Sequence, residues 1–379
     1  MHESSQSENK QTGNDKNAKS YQRRRNWLAL IEFLLECSLL LFLIESHIQT
    51  HFLDFAKMAQ NQLIQLFLFF SAFTIYFFLF RIPFTFYGSY WLEKRYELSN
   101  QNFPGWIFET VKKEILSFVF SSVLFLMLFE IIWKSPEHWW IWTWLAYTFV
   151  SIVMGKIFPV FIVPLFYQYR TLPEGVLRSK IMALAVRFGM KVENIYSLNL
   201  SKTTKKANAA FCGIGKTKRI ILGDTLLDKF SDSEIEVVLA HELGHFRHRD
   251  ILKQLALGFL TSGVVFWLAF ELIRARAPLF GQWGIDDLEQ FPTLCFIFLT
   301  FNFGISPFVN AFSRSLENRA DRFALQATQN KDAFISAMEK LSETNLSDPN
   351  PHWLIEFLLY DHPSIQKRIK LAHEFTKTH

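Results

Sequence analysis

The fold and the chemistry turn on Ser231-Asp-Ser-Glu-Ile-Glu-Val-Val-Leu-Ala-His-Glu-Leu-Gly-His245. Ser231 followed three residues later by Glu234 is a capping box, which marks a helix start. Apolar Ile235, Val238 and Leu239 follow at helical spacing. Residues four apart share a helix face, so His241 and His245 reach a single metal ion. Glu242, beside the first histidine, then lies next to the water such an ion carries and is the candidate general base. Zinc is the metal that this pattern suits. By composition alone, two histidines and a glutamate at these spacings arise in roughly one or two per cent of chains of this make-up. A helix with two surface histidines is the competing reading, and the capped start weighs against it.

A catalytic zinc takes three protein ligands and leaves a fourth position open. His248 is near in sequence but falls on another side of the helix. Glu317 and Asp321, four apart on a second expected helix, are the better source. Glu317 completes the ligand set, and Asp321 holds a histidine N–H and fixes its tautomer. Without the H-E-x-x-H, an ordinary charged helix face would explain this pair.

Outside these segments the chain is strongly apolar. Of 379 residues 42 are Phe and 15 Gly, and half are hydrophobic. Globular proteins are also about half apolar, so the distribution decides. Apolar residues fall in long runs with charge between them, which excludes a disordered chain, a collagen-like fibre and a disulfide scaffold. The three cysteines form no C-x-x-C pair, and the net charge of +5 is spread without a basic stripe. Neither a thiolate zinc site nor a nucleic-acid partner is expected.

A membrane-spanning helix needs about 20 mostly apolar residues. Six segments qualify: Trp27–Ile44, Leu63–Tyr87, Ile115–Trp133, Trp139–Phe166, Ile251–Ile273 and Pro292–Phe312. Pro159 and Pro164 are expected to kink or shorten the fourth. Glu32, Glu36, Glu130 and Lys156 sit in or near spans, where charges face a partner or a cavity. Residues 1–25 are polar and basic and are expected to be a disordered tail before a retained anchor. A signal peptide fits less well, because Glu32 and Glu36 interrupt the apolar run and no small-residue cleavage site follows. Lys and Arg concentrate in the tail, after the second span (Lys94, Arg95, Lys112, Lys113) and after the fourth. By the positive-inside rule both termini and both soluble segments are cytoplasmic.

The expected fold class is therefore mainly α: a polytopic membrane protein of about six transmembrane helices with a small α+β cytoplasmic zinc-metallopeptidase region. Residues 26–166 carry four spans, 167–250 the H-E-x-x-H region, 251–312 two spans, and 313–379 a helical region with the third ligand. Within 167–250 the pattern predicts a helix over Leu172–Gly189, a strand over Asn194–Leu200, and a hairpin from Asn208–Cys212 and Arg219–Leu222 around residues 213–218.

Several collinear motifs sharpen this. Pro83-Phe-Thr-Phe-Tyr87, Glu93-Lys-Arg-Tyr-Glu-Leu-Ser99, Pro164-Leu-Phe166, Leu172-Pro-Glu-Gly175, Asn208-Ala209, Asp224-Thr-Leu-Leu227, H-E-L-G-H, Ser313-Arg314 with Glu317 and Ala320-Asp321, and His362-Pro363 with Arg368 run in order. Together they resemble the integral-membrane zinc metallopeptidases of the CAAX prenyl protease type (type I) from Pro83 to Ile369. The resemblance implies zinc ligands at His241, His245 and Glu317, Glu242 as general base, and His362 and Arg368 near the scissile carbonyl or oxyanion. It also implies that Asn208 lies on an edge strand to which substrate adds. Read alone, His362 is more often a surface histidine before a proline turn. The chain departs from the family at Ala210, Cys212, Glu97 (often Gly) and Lys367 (often Glu), and in having six spans where eukaryotic members have seven. The Glu93–Gln101 stretch is similar to the bacterial branch, for which a bacterial inner membrane is the expected location and prenylated CAAX substrates are less expected.

The expectation is a zinc-dependent membrane endopeptidase with one Zn2+ per chain, acting on membrane-associated peptide or protein substrates within a lipid bilayer. In the same class lies a heat-shock-type quality-control metalloprotease. A transporter or non-catalytic scaffold is the alternative from another class, and the intact H-E-x-x-H with Glu317 argues against it.

Overall fold

The structure, a computed structural model, describes residues 2–189, 194–212, 219–275 and 288–375. Among the described residues six helices are long and apolar enough to cross a membrane, over Asp15–Ser46, Gln62–Arg95, Phe103–Lys134, Trp139–Phe166, Asp250–Arg274 and Leu288–Thr328. The chain is a polytopic membrane protein with a soluble α+β part.

In chain order the main elements are α1 (His2–Ser46), a short α2 (Gln49–Ala56), α3 (Gln62–Phe86), α4 (Phe103–Lys134) and α5 (Trp139–Ile157). Then come β1 (Tyr169–Thr171), α6 (Val176–Arg187), β2 (Asn194–Leu198), β3 (Ala209–Cys212), β4 (Arg219–Gly223), α7 (Asp232–Arg247) and α8 (Asp250–Arg274). The chain finishes with α9 (Phe291–Thr328), α10 (Lys331–Asn345), α11 (Trp353–Leu359) and α12 (Ile365–Phe375).

Local chemistry sets the ends of these helices. The Asn61 side chain accepts from Leu63 N and Ile64 N, and Asn102 accepts from Gly105 N, so each caps a helix start. Ser231 and Glu234 form the expected capping box of α7. The prolines of the fourth span produce a π-helical turn, Phe158–Ile162, before Val163–Phe166. Pro159 has no N–H to give to the helix ladder, and the wider turn absorbs the gap. A second π-helical turn, Tyr87–Trp91, follows Pro83 in α3.

The phenylalanines bind the spans at the end remote from the soluble part. Phe70 stacks on Phe125 at 4.6 Å, and Phe291 meets Phe125 edge-on at 4.7 Å and Phe73 at 4.9 Å. Leu66, Phe69, Phe129, Ile132 and Trp139 complete this core. A second core lies under the sheet, from Ile181 and Leu184 of α6, Ile195, Ile220 and Leu222 of the strands, Val237 and Leu239 of α7, and Phe334 of α10.

The sheet order is β1-β2-β4-β3, with β2 and β4 parallel and both outer pairs antiparallel. The predicted hairpin is present as β3 and β4, and its turn, 213–218, lies outside the described residues. The strand expected to reach Leu200 stops at Leu198, and Leu200–Lys202 is a 3-10 turn. The helix expected from Leu172 starts at Val176, because Leu172 N donates to Ile195 O and stays with the sheet. β1 was not expected; three residues carry too little periodicity to register.

Two expectations need correction. The expected disordered tail is helical where it is described: α1 runs from His2, and the span-length helix begins at Asp15. Tyr21 is buried, its hydroxyl donates to Glu93 Oε1 at 2.5 Å, and Lys206 Nζ lies 2.9 Å from that carboxylate. Polar composition suggested solvation; Tyr21 and Arg25 instead find partners in Glu93, beyond α3, and Tyr21 also in Lys206, before β3. The boundary at 312/313 also disappears, since α9 is one 38-residue helix that carries the sixth span straight into Glu317 and Asp321.

Glu97 ends the α3 extension in the left-handed region, φ 56°, while Leu98 N reaches back to Glu93 O. That conformation costs a non-glycine residue about 1–2 kcal/mol, which explains why glycine suits the position. Glu97→Gly is expected to raise the melting temperature of the detergent-solubilised protein. A lowered melting temperature would show that the Glu97 side chain contributes more than its backbone strain costs.

Candidate active site

α7 and α9 cross at unusually close range. A Cβ on Gly244 would sit 3.1 Å from Ala320 Cα and 3.3 Å from Ala320 O. The glycine inside H-E-L-G-H therefore lets the α9 backbone approach, and that approach delivers Glu317 to the two histidines. His241 Nε2 and His245 Nε2 are 3.2 Å apart. Glu317 Oε2 lies 3.1 Å from His241 Nε2, and Oε1 lies 3.2 Å from His245 Nε2. Ligands about 2.0–2.1 Å from a tetrahedral ion are separated by about 3.3 Å. The two imidazole nitrogens and the Glu317 carboxylate thus already stand close to the spacing a zinc ion requires.

The atoms behind them agree. His241 Nδ1 is 2.8 Å from Asp321 Oδ1, and His245 Nδ1 is 3.1 Å from Asp250 Oδ2. A carboxylate at each Nδ1 accepts a hydrogen bond from its N–H and leaves the Nε2 lone pair for a metal. Glu317 Oε2 is buried and receives no hydrogen bond of acceptable geometry, a costly arrangement unless a cation is its partner. Burial opposes a charged His241, but Asp321 and Glu317 outweigh it and hold its pKa at about 9. The same negative field favours a divalent cation.

Asp321 is fully buried and bound by Arg368, with Nε to Oδ2 at 2.8 Å and Nη2 to Oδ1 at 2.5 Å. Arg368 therefore acts first as the partner of Asp321, behind the candidate ligand His241. His362 is half-exposed. Its Nδ1 is 2.8 Å from Asp361 Oδ1, and its Nε2 is 3.4 Å from Glu317 Oε1. The Asp361 carboxylate raises its pKa. Arg314, donating to Glu356 O and Tyr360 O, holds the segment that carries His362.

A cavity of about 480 Å3 opens onto these groups, lined by Asn208, Ala209, His241, Glu242, His362 and Arg368. Every site residue expected from sequence except Asp321, Glu317 and His245 lines it, and those three stand directly behind. His248 packs on Phe323, away from the cluster.

Sequence reading missed Asp250. It lies five residues after His245, at the start of α8, and also binds Arg319 and Lys253. Arg249, in the left-handed region at φ 56°, turns the chain back so that Asp250 reaches His245. An acid at that spacing was the available signal. Asn345 was missed too, and nothing in its local sequence marks it.

Comparison with known proteins identifies the family. A model of peptidase family M48 matches residues 171–376. The chain belongs to peptidase family M48. A second model, described as the CAAX prenyl protease N-terminal part with five membrane helices, matches residues 9–168. Together they make the chain a membrane metalloprotease of that family. It is 33% identical over 283 residues to an uncharacterized metalloprotease of Bacillus subtilis, covering 74% of this chain and 66% of that one. A CAAX prenyl protease 1 homolog of Mus musculus is 28% identical over 355 residues, covering 82% and 74%. The crystal structure of Ste24p from S. mikatae superposes with a TM-score of 0.82 at 24% identity, covering 95% of this chain and 89% of that one. This last likeness speaks for the fold alone.

Replacing Asp321 or Asp250 by Asn keeps the shape but weakens the hold on each imidazole. Zinc affinity, measured by competition with a chromophoric chelator, is expected to fall about 10–100-fold in each variant. Unchanged affinity would remove these carboxylates from the metal site.

Proposed function

We propose that the protein is a zinc-dependent endopeptidase that cleaves membrane-associated polypeptides, with His241, His245 and Glu317 as ligands and Glu242 as the general base. The observation that carries this is the preformed cluster of His241, His245 and Glu317, whose His241 opens onto one cavity with Glu242 and the edge strand β3. When bound, zinc supplies Lewis acidity and brings a water's pKa to about 7. Glu242 takes the proton from the attacking water and returns it to the leaving amine, as general acid–base catalysis requires. His362, whose pKa the Asp361 carboxylate raises, is placed to donate from Nε2 toward the developing oxyanion. Arg368 holds Asp321, and through it the ring of His241.

β3 presents the substrate's docking edge. Gly223 N donates to Asn208 O at 2.8 Å, so the Asn208 carbonyl faces β4. Alternation along a strand then turns the peptide groups of Ala207 and Ala209 outward. At Ala207 the outward edge is already taken: Asn345 Oδ1 accepts from Ala207 N at 2.9 Å, and Nδ2 donates to Ala207 O at 3.2 Å. The edge left for an incoming strand begins at Ala209, inside the cavity and beside His241. Asn345 is thus a register stop for a peptide adding as a strand.

The substrates are membrane-associated peptide or protein segments that reach the cavity at the membrane face. The Lys and Arg distribution favours a cytoplasmic site, and the resemblance to the Bacillus protein favours a bacterial inner membrane. CAAX processing is an activity named for the relatives and is one substrate class to assay.

Glu242→Gln is expected to lower kcat about 10²–10⁴-fold on a test peptide while zinc content stays at the parental level. Cleavage at the parental rate would end the peptidase reading. Asn345→Leu frees the edge at Ala207, and product mass spectrometry is expected to show an added cut displaced by two residues, the period of a strand. A single unshifted cut would remove Asn345 from register control.

A further inference from the structure

A second groove, of about 920 Å3, lies on the far side of the Leu359–Tyr360 wall from the catalytic cavity; both residues line both spaces. One side is a stripe of α1: Lys16, Lys19, Arg23, Asn26, Leu30 and Phe33. Steps of three and four residues place them on one helix face. The stripe changes from basic to apolar at Trp27, which is 59% exposed, as aromatics are where a bilayer meets water. Phe303 and Pro307 of α9 and Ile355 of α11 form the opposite side. At the bottom Phe33 and Phe303 stack with centroids 4.1 Å apart and close the groove.

The charges are one-sided. Lys16, Lys19 and Arg23 are exposed and make no ion pair among the described residues. Asp348 is the one carboxylate among the described lining residues, at the end shared with the catalytic cavity, and accepts from Asn350 N. An amphiphile with an anionic head and an apolar tail matches the groove from top to bottom. A zwitterionic lipid brings a cation of its own and no net charge to offset three basic side chains, and a peptide strand would find no open sheet edge here.

We propose that this groove binds one anionic glycerophospholipid from the leaflet on the catalytic side. Its phosphate lies over Lys16, Lys19 and Arg23, and an acyl chain runs between Leu30, Phe303 and Ile355. Bound there, the lipid braces the Leu359–Tyr360 wall, two residues before His362. The site does not depend on peptidase activity, so its test reads lipid alone.

The full-length protein is reconstituted in vesicles of equal parts phosphatidylcholine and phosphatidylglycerol, re-extracted in neutral detergent, and its retained lipids are counted by native mass spectrometry. The parent is expected to retain one phosphatidylglycerol per chain in preference to phosphatidylcholine. Lys16→Glu/Lys19→Glu/Arg23→Glu is expected to lose that retention by about tenfold. Leu30→Trp, which fills the apolar half and leaves the charges, is expected to lose it too, whereas Lys331→Glu on the soluble part keeps it. Equal retention of the two lipids by the parent, or retention unaffected in either groove variant, would overturn the proposal.

Discussion

The arrangement depends on one buried carboxylate. Asp321 is wholly enclosed, and a lone carboxylate there would be far too costly to keep. It is tolerated because Arg368 grips both its oxygens and His241 meets it from the other side. These contacts join α7, α9 and α12, three helices from distant parts of the chain. Removing one partner of such a buried pair typically costs about 3–5 kcal/mol, so the three helices are fixed as a set. With α9 fixed, Glu317, one turn before Asp321, falls between the two histidines. Gly244 is the steric half of the same constraint, since any larger residue would push α9 and its glutamate away.

The membrane part and the catalytic part are joined by polar contacts at their shared face. Ser99 bridges to Thr204, Lys205 N donates to Leu98 O, and Glu93 gathers Tyr21, Arg25 and Lys206. Thr204, Lys205 and Lys206 lie just before Ala207 and Asn208. The edge proposed for substrate is thus anchored to the spans themselves, while the phenylalanine core ties the spans at their other end. The bulk of the apolar sequence holds and positions a small polar site at the membrane face.

Much of this is legible in the sequence because the signals are local. The capping box, the H-E-x-x-H spacing, the six apolar runs and the β3–β4 hairpin each follow from neighbours in sequence, and each is found. Glu317 and Asp321 are legible through their four-residue spacing and their place after the sixth span. What escapes depends on distant partners. The Lys16–Arg25 stretch looks solvated because nothing nearby reveals that Tyr21 and Arg25 meet Glu93. Asp250 needs the left-handed turn at Arg249, and Asn345 needs the sheet edge 138 residues earlier in the chain. The role of Arg368 also shifts, since its fork is engaged by Asp321.

The central claim is that His241, His245 and Glu317 hold one zinc ion at a site built before the ion arrives. Anomalous diffraction from crystals of the purified protein, recorded on both sides of the zinc edge, tests it most directly. One zinc peak within bonding distance of His241 Nε2, His245 Nε2 and the Glu317 carboxylate is predicted. A zinc-loaded protein with its peak elsewhere, or with none at these three side chains, would contradict the account.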